Sequence, residues 1–351
     1  MAVYPAQSPC RIALDAMGGD HGPKVTLAGA ALALQALPEL FLLLVGKKSE
    51  IEANIEHSGL CGELLARTEV VHADSVVEMD DRATCVLKEK KESSVRLAAE
   101  CVREREAVGL VTMGHTGAAM VASMKVIGRL NGVARPCLAT IFPSLKKGTP
   151  TVFLDVGANV DCKSEHIAQF ALMGGVYAEE VLGIHRPKVG ILSVGEEDAK
   201  GSGLTRNAAA SLRAMDINFG GNAEGRDIWK GDFDVIACDG FVGNVVLKSS
   251  EALAESIRVG LRESLEGNVV SRLGGLFVRP SMRKFYKRLD YAEYGGAPLL
   301  GVKGISIIGH GRSNGRAVAS ALRAAVLGAT HSINDRIQER LRHLEEVAHE
   351  A

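Results

Sequence analysis

Arg11-Ile-Ala-Leu-Asp15-Ala-Met-Gly18-Gly19-Asp-His21-Gly-Pro23 opens as an apolar run, turns polar and glycine-bearing, and ends on a proline suited to a first helical turn. Residues 23–37 then carry helical periodicity, and 41–45 is a second apolar run. The pattern repeats. Apolar runs at 108–113, 151–156, 188–194, 234–239 and 305–308 read as buried strands, and 93–106, 116–130, 164–182, 204–215 and 244–265 read as helices between them. Such alternation marks an α/β chain with a mainly parallel sheet. Residues 316–347 read as one terminal helix, alanine-rich first and charged later.

No repeat or low-complexity linker divides the chain, so any two-lobed division must be made by the chain crossing between lobes. Residues 11–335 are expected to form a single catalytic domain. A basic amphipathic excursion interrupts it at about 265–292, and 336–351 reads as a charged helical tail.

With 351 residues, 46% apolar and 24% charged, the chain can bury a sizeable core. A formal charge of −1 lacks the cationic excess that non-specific nucleic-acid binding needs. The seven cysteines are widely spaced, with no Cys-x-x-Cys pair, and read as buried thiols in a reducing cytosol. The first ten residues have no basic start before an apolar run, and no stretch reaches about 18 apolar residues, so neither secretion nor membrane spanning is expected.

Five strands end in glycine-bearing polar loops that open helices. These are Asp15 to Pro23, Gly114-His115-Thr116-Gly117, Asp155-Val-Gly-Ala-Asn159-Val-Asp161, Gly195-Glu-Glu-Asp-Ala-Lys200-Gly201 and Asp239-Gly-Phe-Val-Gly-Asn244. In a parallel sheet the carboxyl-end loops converge on one crevice, and helix N-termini there suit an anion. Turn chemistry alone accounts for part of the pattern, with Pro23 at a first turn and Thr116 as a cap. Lys200 suits a phosphate or a developing oxyanion, or else pairs with Glu197 or Asp198. Asn244 is a donor to a carbonyl oxygen or else a helix cap.

Taken in order, Ile12-Ala-Leu-Asp-Ala-Met-Gly-Gly-Asp-His-Gly-Pro23, Gly114-His-Thr-Gly-Ala118, Leu154-Asp-Val-Gly-Ala-Asn-Val-Asp161, Asn222-Ala-Glu-Gly-Arg226 and Asp239-Gly-Phe-Val-Gly-Asn-Val245 resemble the phosphate acyltransferase (PlsX) family over about residues 11–327. The resemblance implies a three-layer fold similar to phosphotransacetylase and to the isocitrate and isopropylmalate dehydrogenases. It implies a homodimer without cofactor or metal that moves a fatty acyl group reversibly from an acyl carrier protein thioester to inorganic phosphate. The acyl-phosphate would serve glycerophospholipid synthesis through a membrane glycerol-3-phosphate acyltransferase.

On the family pattern Lys200 and Asn244 are the catalytic candidates, and Asp15, Gly18, Gly19, His21, His115, Thr116, Gly117, Asn159 and Asp239 the substrate- and phosphate-binding ones. His115 stands where the family usually has asparagine. An imidazole still donates one hydrogen bond but titrates, so a pH-dependent phosphate affinity is expected.

Residues 268–289 contain Arg272, Arg279, Arg283, Lys284, Lys287 and Arg288 and no acid. Met282, Phe285, Tyr286 and Leu289 follow helical spacing, and Leu276-Phe277-Val278 make an apolar tip. The segment reads as a surface for anionic lipid or for an acidic acyl carrier protein, or as a helix packed on the core. A cytoplasmic enzyme in transient contact with the membrane is the expectation. Three other readings compete. Gly311-Arg-Ser313-Asn-Gly315 matches a serine-hydrolase elbow, the fold suits a nicotinamide-dependent decarboxylating dehydrogenase, and a non-catalytic scaffold is the third.

Overall fold

The structure, a computed structural model, describes residues 9–146, 150–267, 271–272, 274–275, 277–282 and 296–350. It opens with β1 (Cys10–Asp15), α1 (Pro23–Ala36), β2 (Leu40–Gly46), α2 (Lys48–Ser58), α3 (Gly62–Ala66) and β3 (Thr68–His72). Then come α4 (Cys85–Lys88), α5 (Ser94–Arg103), β4 (Gly109–Thr112) and α6 (Thr116–Ala122), which runs on as a π turn over Ser123–Ile127. β5 (Cys137–Phe142) and β6 (Thr151–Leu154) lead into α7 (Ser164–Glu180), β7 (Val189–Leu192), α8 (Gly203–Arg213), β8 (Phe219–Ala223), α9 (Asp227–Lys230), β9 (Val235–Ala237) and α10 (Gly240–Glu266). β10 (Ala297–Leu300), β11 (Ile305–Ile308), α12 (Gly315–Thr330) and α13 (Ile333–Glu350) follow.

The strands form one sheet in the order β3-β2-β1-β4-β11-β10-β5-β6-β9-β7-β8. β3, β2, β1, β4 and β11 are mutually parallel, as are β6, β9, β7 and β8. Between the blocks, β10 and β5 pair antiparallel with their neighbours. Three successive reversals leave the two blocks running in opposite senses, and the chain returns to the first block through β11 and α12.

Alternate residues of each strand feed opposite faces, as a sheet covered on both sides requires. Ile12, Leu14, Leu42, Leu44, Val152 and Leu154 join one core under α1, α7 and α12. Ala13, Leu43, Val45, Leu110 and Phe153 join the other, under α5 and α6. The result is the α/β class read from the sequence, in the three-layer arrangement that the family resemblance implies. Burying each such leucine stabilises the fold by roughly 1.5–3 kcal/mol before chain entropy is counted.

Several elements differ from the sequence reading. β3, β5, β8 and β10 were not anticipated, since Thr68–His72 is mostly half-exposed and Phe219–Ala223 carries two glycines. The single terminal helix is broken at Ser332, whose φ of 49° lies in the left-handed region and ends α12. Ile333, Ile337 and Leu341 of α13 are buried, so part of the segment read as a tail belongs to the core.

Candidate active site at the strand ends

Asp15 ends β1 and is buried, with 3% of its surface exposed. Its carboxylate accepts from Thr112 Oγ1 at 2.7 Å and from the Met17 N–H at 3.3 Å. Burial pushes the carboxyl up, while Thr112, Ser94 and the N–H groups of Met17 and Gly18 oppose that shift. Asp15 therefore ties the β1 and β4 loops together. A β-carbon on Gly18 would lie 2.8 Å from the Gly114 nitrogen, so only glycine permits this approach. The Asp20 N–H donates to the Gly311 carbonyl at 2.8 Å, which brings the loop after β11 onto the same cluster. His21 is exposed at its rim.

Thr116 does not cap α6. His115 does, its Nδ1 accepting from the Ala118 N–H at 3.1 Å, which puts the ring proton on Nε2. An asparagine oxygen would fill that role in the same way, so the exchange of residue keeps the cap. Thr116 is exposed and Gly117 half-buried, and a β-carbon on Gly117 would lie 3.0 Å from the Ala83 methyl. Ala83 belongs to a flap closed at its base by the Ser75–Ser93 bridge and braced by Lys90 Nζ on Asp81 at 2.5 Å. Lys90 and the Glu78 N–H hold the Asp81 carboxyl below its ordinary value, with His115 a lesser contributor. No motif announced this flap.

The second block repeats the device. Asp155 follows β6 and is fully buried, accepting from the N–H groups of Leu138, Ala158 and Asn159 at 2.9, 3.1 and 2.7 Å. The Asn159 side chain donates to Asp155 at 2.9 Å and to the Pro136 carbonyl at 2.7 Å, so its amide is engaged within the fold. Asp239 caps α10 by accepting from the Val242 N–H at 3.0 Å. Asn244 lies within α10 and is exposed, which removes its reading as a cap. A β-carbon on Gly157, whose φ is 131°, would lie 3.6 Å from the Asn244 side chain. Gly240 and Gly243 seat the start of α10 directly on the Asp155–Asn159 turn.

Lys200 is exposed and makes no ion pair among the described residues. Two of the three acids beside it are turned elsewhere. Asp198 pairs with Arg213, and Glu196 with Arg226 at 2.6 Å. Asn222 donates to the Glu197 carbonyl at 2.8 Å, fixing the turn that presents the lysine. The alternative reading, a pairing of Lys200 with Glu197 or Asp198, is not seen among the described residues.

The single crevice expected from a parallel sheet becomes two sets of loops, because the sheet reverses between its blocks. One set holds Asp15, Gly18, Gly19, His21, His115, Thr116 and Gly117, and the other Asn159, Lys200, Asp239 and Asn244. α10 starts on the Asp155 turn, and Arg312 of the β11 loop lies close enough to help, after Arg258, to keep Glu255 of α10 below the ordinary carboxylate range. Arg312 was overlooked because its motif reads as a serine-hydrolase elbow.

A family model described as fatty acid synthesis protein matches residues 10–336. A phosphate acyltransferase of Trichlorobacter lovleyi is 45% identical over 333 residues, covering 94% of each chain. One from Acidobacterium capsulatum is 47% identical over 327 residues, covering 93% of this chain and 96% of that one. The chain belongs to the phosphate acyltransferase family. As a member it is an acyltransferase, and the hydrolase, dehydrogenase and scaffold readings give way. Ser313 has only helices behind it among the described residues, with no later strand-end loop to supply an acid and a histidine.

The phosphate acyltransferase fold is shared with a phosphotransacetylase of Streptococcus pyogenes, at TM-score 0.62 and 13% identity over 92% of this chain and 94% of that one. The EutD phosphotransacetylase of Staphylococcus aureus gives TM-score 0.60 and 16% identity over the same shares. Among the described residues no cluster of three or more His, Cys, Asp or Glu could hold a metal, and no helix is long and apolar enough to cross a membrane. In the basic segment Phe277 is 86% exposed, Val278 and Arg279 are exposed and Met282 is half-buried. Leu276, Arg283, Lys284, Phe285, Lys287 and Arg288 lie outside the described residues.

Proposed function

We propose that this phosphate acyltransferase takes a fatty acyl group from an acyl carrier protein thioester and gives it reversibly to inorganic phosphate. A phosphate oxygen attacks the thioester carbonyl carbon, a tetrahedral oxyanion forms, and the carbon–sulfur bond breaks to release the carrier thiolate. Phosphate is itself the nucleophile, so no serine or cysteine ester is needed. Catalysis then reduces to holding phosphate in line and stabilising the oxyanion, for which one well-placed donor contributes roughly 3–4 kcal/mol.

The observation that carries this reading is the exposed Lys200, without an ion pair among the described residues, on a turn where Glu196 and Asp198 are bound to arginines. Asn244, with its amide beside Gly157, is the second donor. The β1 and β4 loops, with His21, His115 and the N-terminus of α1, suit phosphate. Strand twist favours joint use of the two sets of loops. At about 20–25° per strand, the six steps from β1 to β9 turn strand direction by roughly 130°, offsetting most of the reversal between the blocks.

Homodimer formation and loose membrane contact belong to the same proposal. α10 exposes Phe241, Val245, Leu253 and Ile257, an apolar surface that suits a second copy, and Phe277 and Val278 suit a lipid interface. Six basic residues at roughly 1 kcal/mol each near anionic lipid would favour reversible association, after which acyl-phosphate passes to a membrane glycerol-3-phosphate acyltransferase. Sedimentation with anionic vesicles separates the uses of that segment. Phe277→Glu should abolish it while sparing turnover in solution, and the reverse would assign the segment to the carrier.

The primary test supplies a long-chain acyl carrier protein with and without phosphate and traps acyl-phosphate as the hydroxamate. Thiol release with hydroxamate, dependent on phosphate, is expected. Thiol release without phosphate would indicate a thioesterase instead.

A further inference from the structure

We propose that Lys125, Arg129, Arg135 and Lys303 form the docking surface for an acidic protein, the carrier that brings the acyl thioester; this rests on the acyl-transfer reading above. The four residues come from two segments that fold onto each other. The Leu130 N–H donates to the Gly301 carbonyl and the Lys303 N–H to the Gly128 carbonyl, both at 2.9 Å, and Arg129 bridges to Val302. A β-carbon on Gly128 would lie 3.8 Å from Lys303 Cδ.

All four side chains are exposed, and residues 125–136 and 300–304 contain no acid. Lys125, Arg135 and Lys303 have no ion pair among the described residues, whereas nearby Glu104 and Glu165 are engaged by Arg103 and Lys163. Unneutralised charge held in a fixed shape steers an oppositely charged partner and raises its encounter rate.

The surface is rigid and adjoins the site. Gln169 of α7 accepts from the Ala134 N–H at 2.8 Å and donates to the Gly132 carbonyl at 2.9 Å, and Arg129 bonds the Ala134 carbonyl. Pro136 receives the Asn159 amide, so this loop backs the turn on which α10 and Asn244 are seated.

A protein fits better than a membrane here because the apolar residues of both segments point inward. Val126, Ile127, Leu130, Val133 and Val302 are all buried, which leaves nothing to insert among acyl chains. Phe277 and Val278, exposed in another segment, have the opposite character.

The test is the triple variant Lys125→Glu, Arg135→Glu and Lys303→Glu, leaving Arg129 because it anchors the loop. With acyl carrier protein at low salt, kcat/KM should fall about tenfold or more, chiefly through KM, and lose most of its salt dependence. Turnover of a long-chain acyl-pantetheine, which has no protein surface, should be unchanged. Lys125→Gln with Lys303→Gln should show a smaller fall in the same direction and guards against a folding defect. Unaltered carrier kinetics would overturn the proposal, as would loss of anionic-vesicle binding with carrier kinetics intact.

Carrier binding by calorimetry separates the two readings. A wild type that binds carrier without turning it over sinks the acyl-transfer reading, while binding equal in wild type and triple variant sinks the docking surface.

Discussion

Asn159 holds Asp155 twice, donating to one carboxylate oxygen from its backbone N–H at 2.7 Å and from its side-chain amide at 2.9 Å. A residue expected at the ligand is thereby a brace for the turn beneath α10. Asn159→Ala would leave the Pro136 carbonyl without this donor and take one of two donors from a buried carboxylate oxygen, at a cost of about 1–3 kcal/mol. Thermal unfolding should report this as a lowered Tm. An unchanged Tm accompanied by a raised phosphate KM would return Asn159 to the ligand side.

Lys200 and Asn244 should behave in the opposite way, because both are exposed. Lys200→Ala and Asn244→Ala are expected to lower turnover by about two orders of magnitude or more with Tm unchanged. Arg213→Ala releases Asp198 toward Lys200 and should lower the rate less. Near-normal rates in the first two variants would remove both residues from the chemistry.

His115 caps α6 through Nδ1. His115→Asn should keep the cap and the stability, while His115→Ala should cost about 1 kcal/mol, seen in denaturant unfolding. Equal midpoints for both variants would contradict a capping role.

His166, buried at the start of α7, accepts from the Lys163 N–H at 3.1 Å. Burial, reinforced by Arg135, pushes its pKa below the ordinary 6.5. The unfolded chain then binds the extra proton more readily, so the stability His166 contributes is full above about pH 6.5 and is lost as pH falls through the folded value. Unfolding midpoints measured from about pH 8 to pH 5 should decline more steeply in the wild type than in His166→Gln. Parallel slopes would show that another group controls the decline.

Much of this molecule is legible along the chain. Strands such as Ile12–Leu14 and Val152–Leu154 are buried on both faces and read as unbroken apolar runs, and Pro23 marks a helix start. β3 and β8 were not, because a half-exposed strand or one with glycines is held by its neighbours rather than by its own pattern. The motif residues identified the loops but not their duties. Asp15, Asn159 and Asp239 carry the same polar chemistry as ligand-binding groups, and only the tertiary structure reveals the hydrogen bonds they make within the fold, to Thr112, Asp155 and the Val242 N–H.

The sequence by itself determined the α/β class, the family and the loops that bear the chemistry, because hydrophobic period and ordered motifs are local properties of the chain. Tertiary structure alone decided that the sheet reverses at β10 and β5, that Lys200 has no ion pair among the described residues while Asp198 and Glu196 go to Arg213 and Arg226, and that the segment carrying Arg129 folds onto the one carrying Lys303. Strand order, ion-pair choice and charge clustering join residues far apart in the chain, and no local pattern encodes which of the available partners packing will bring together.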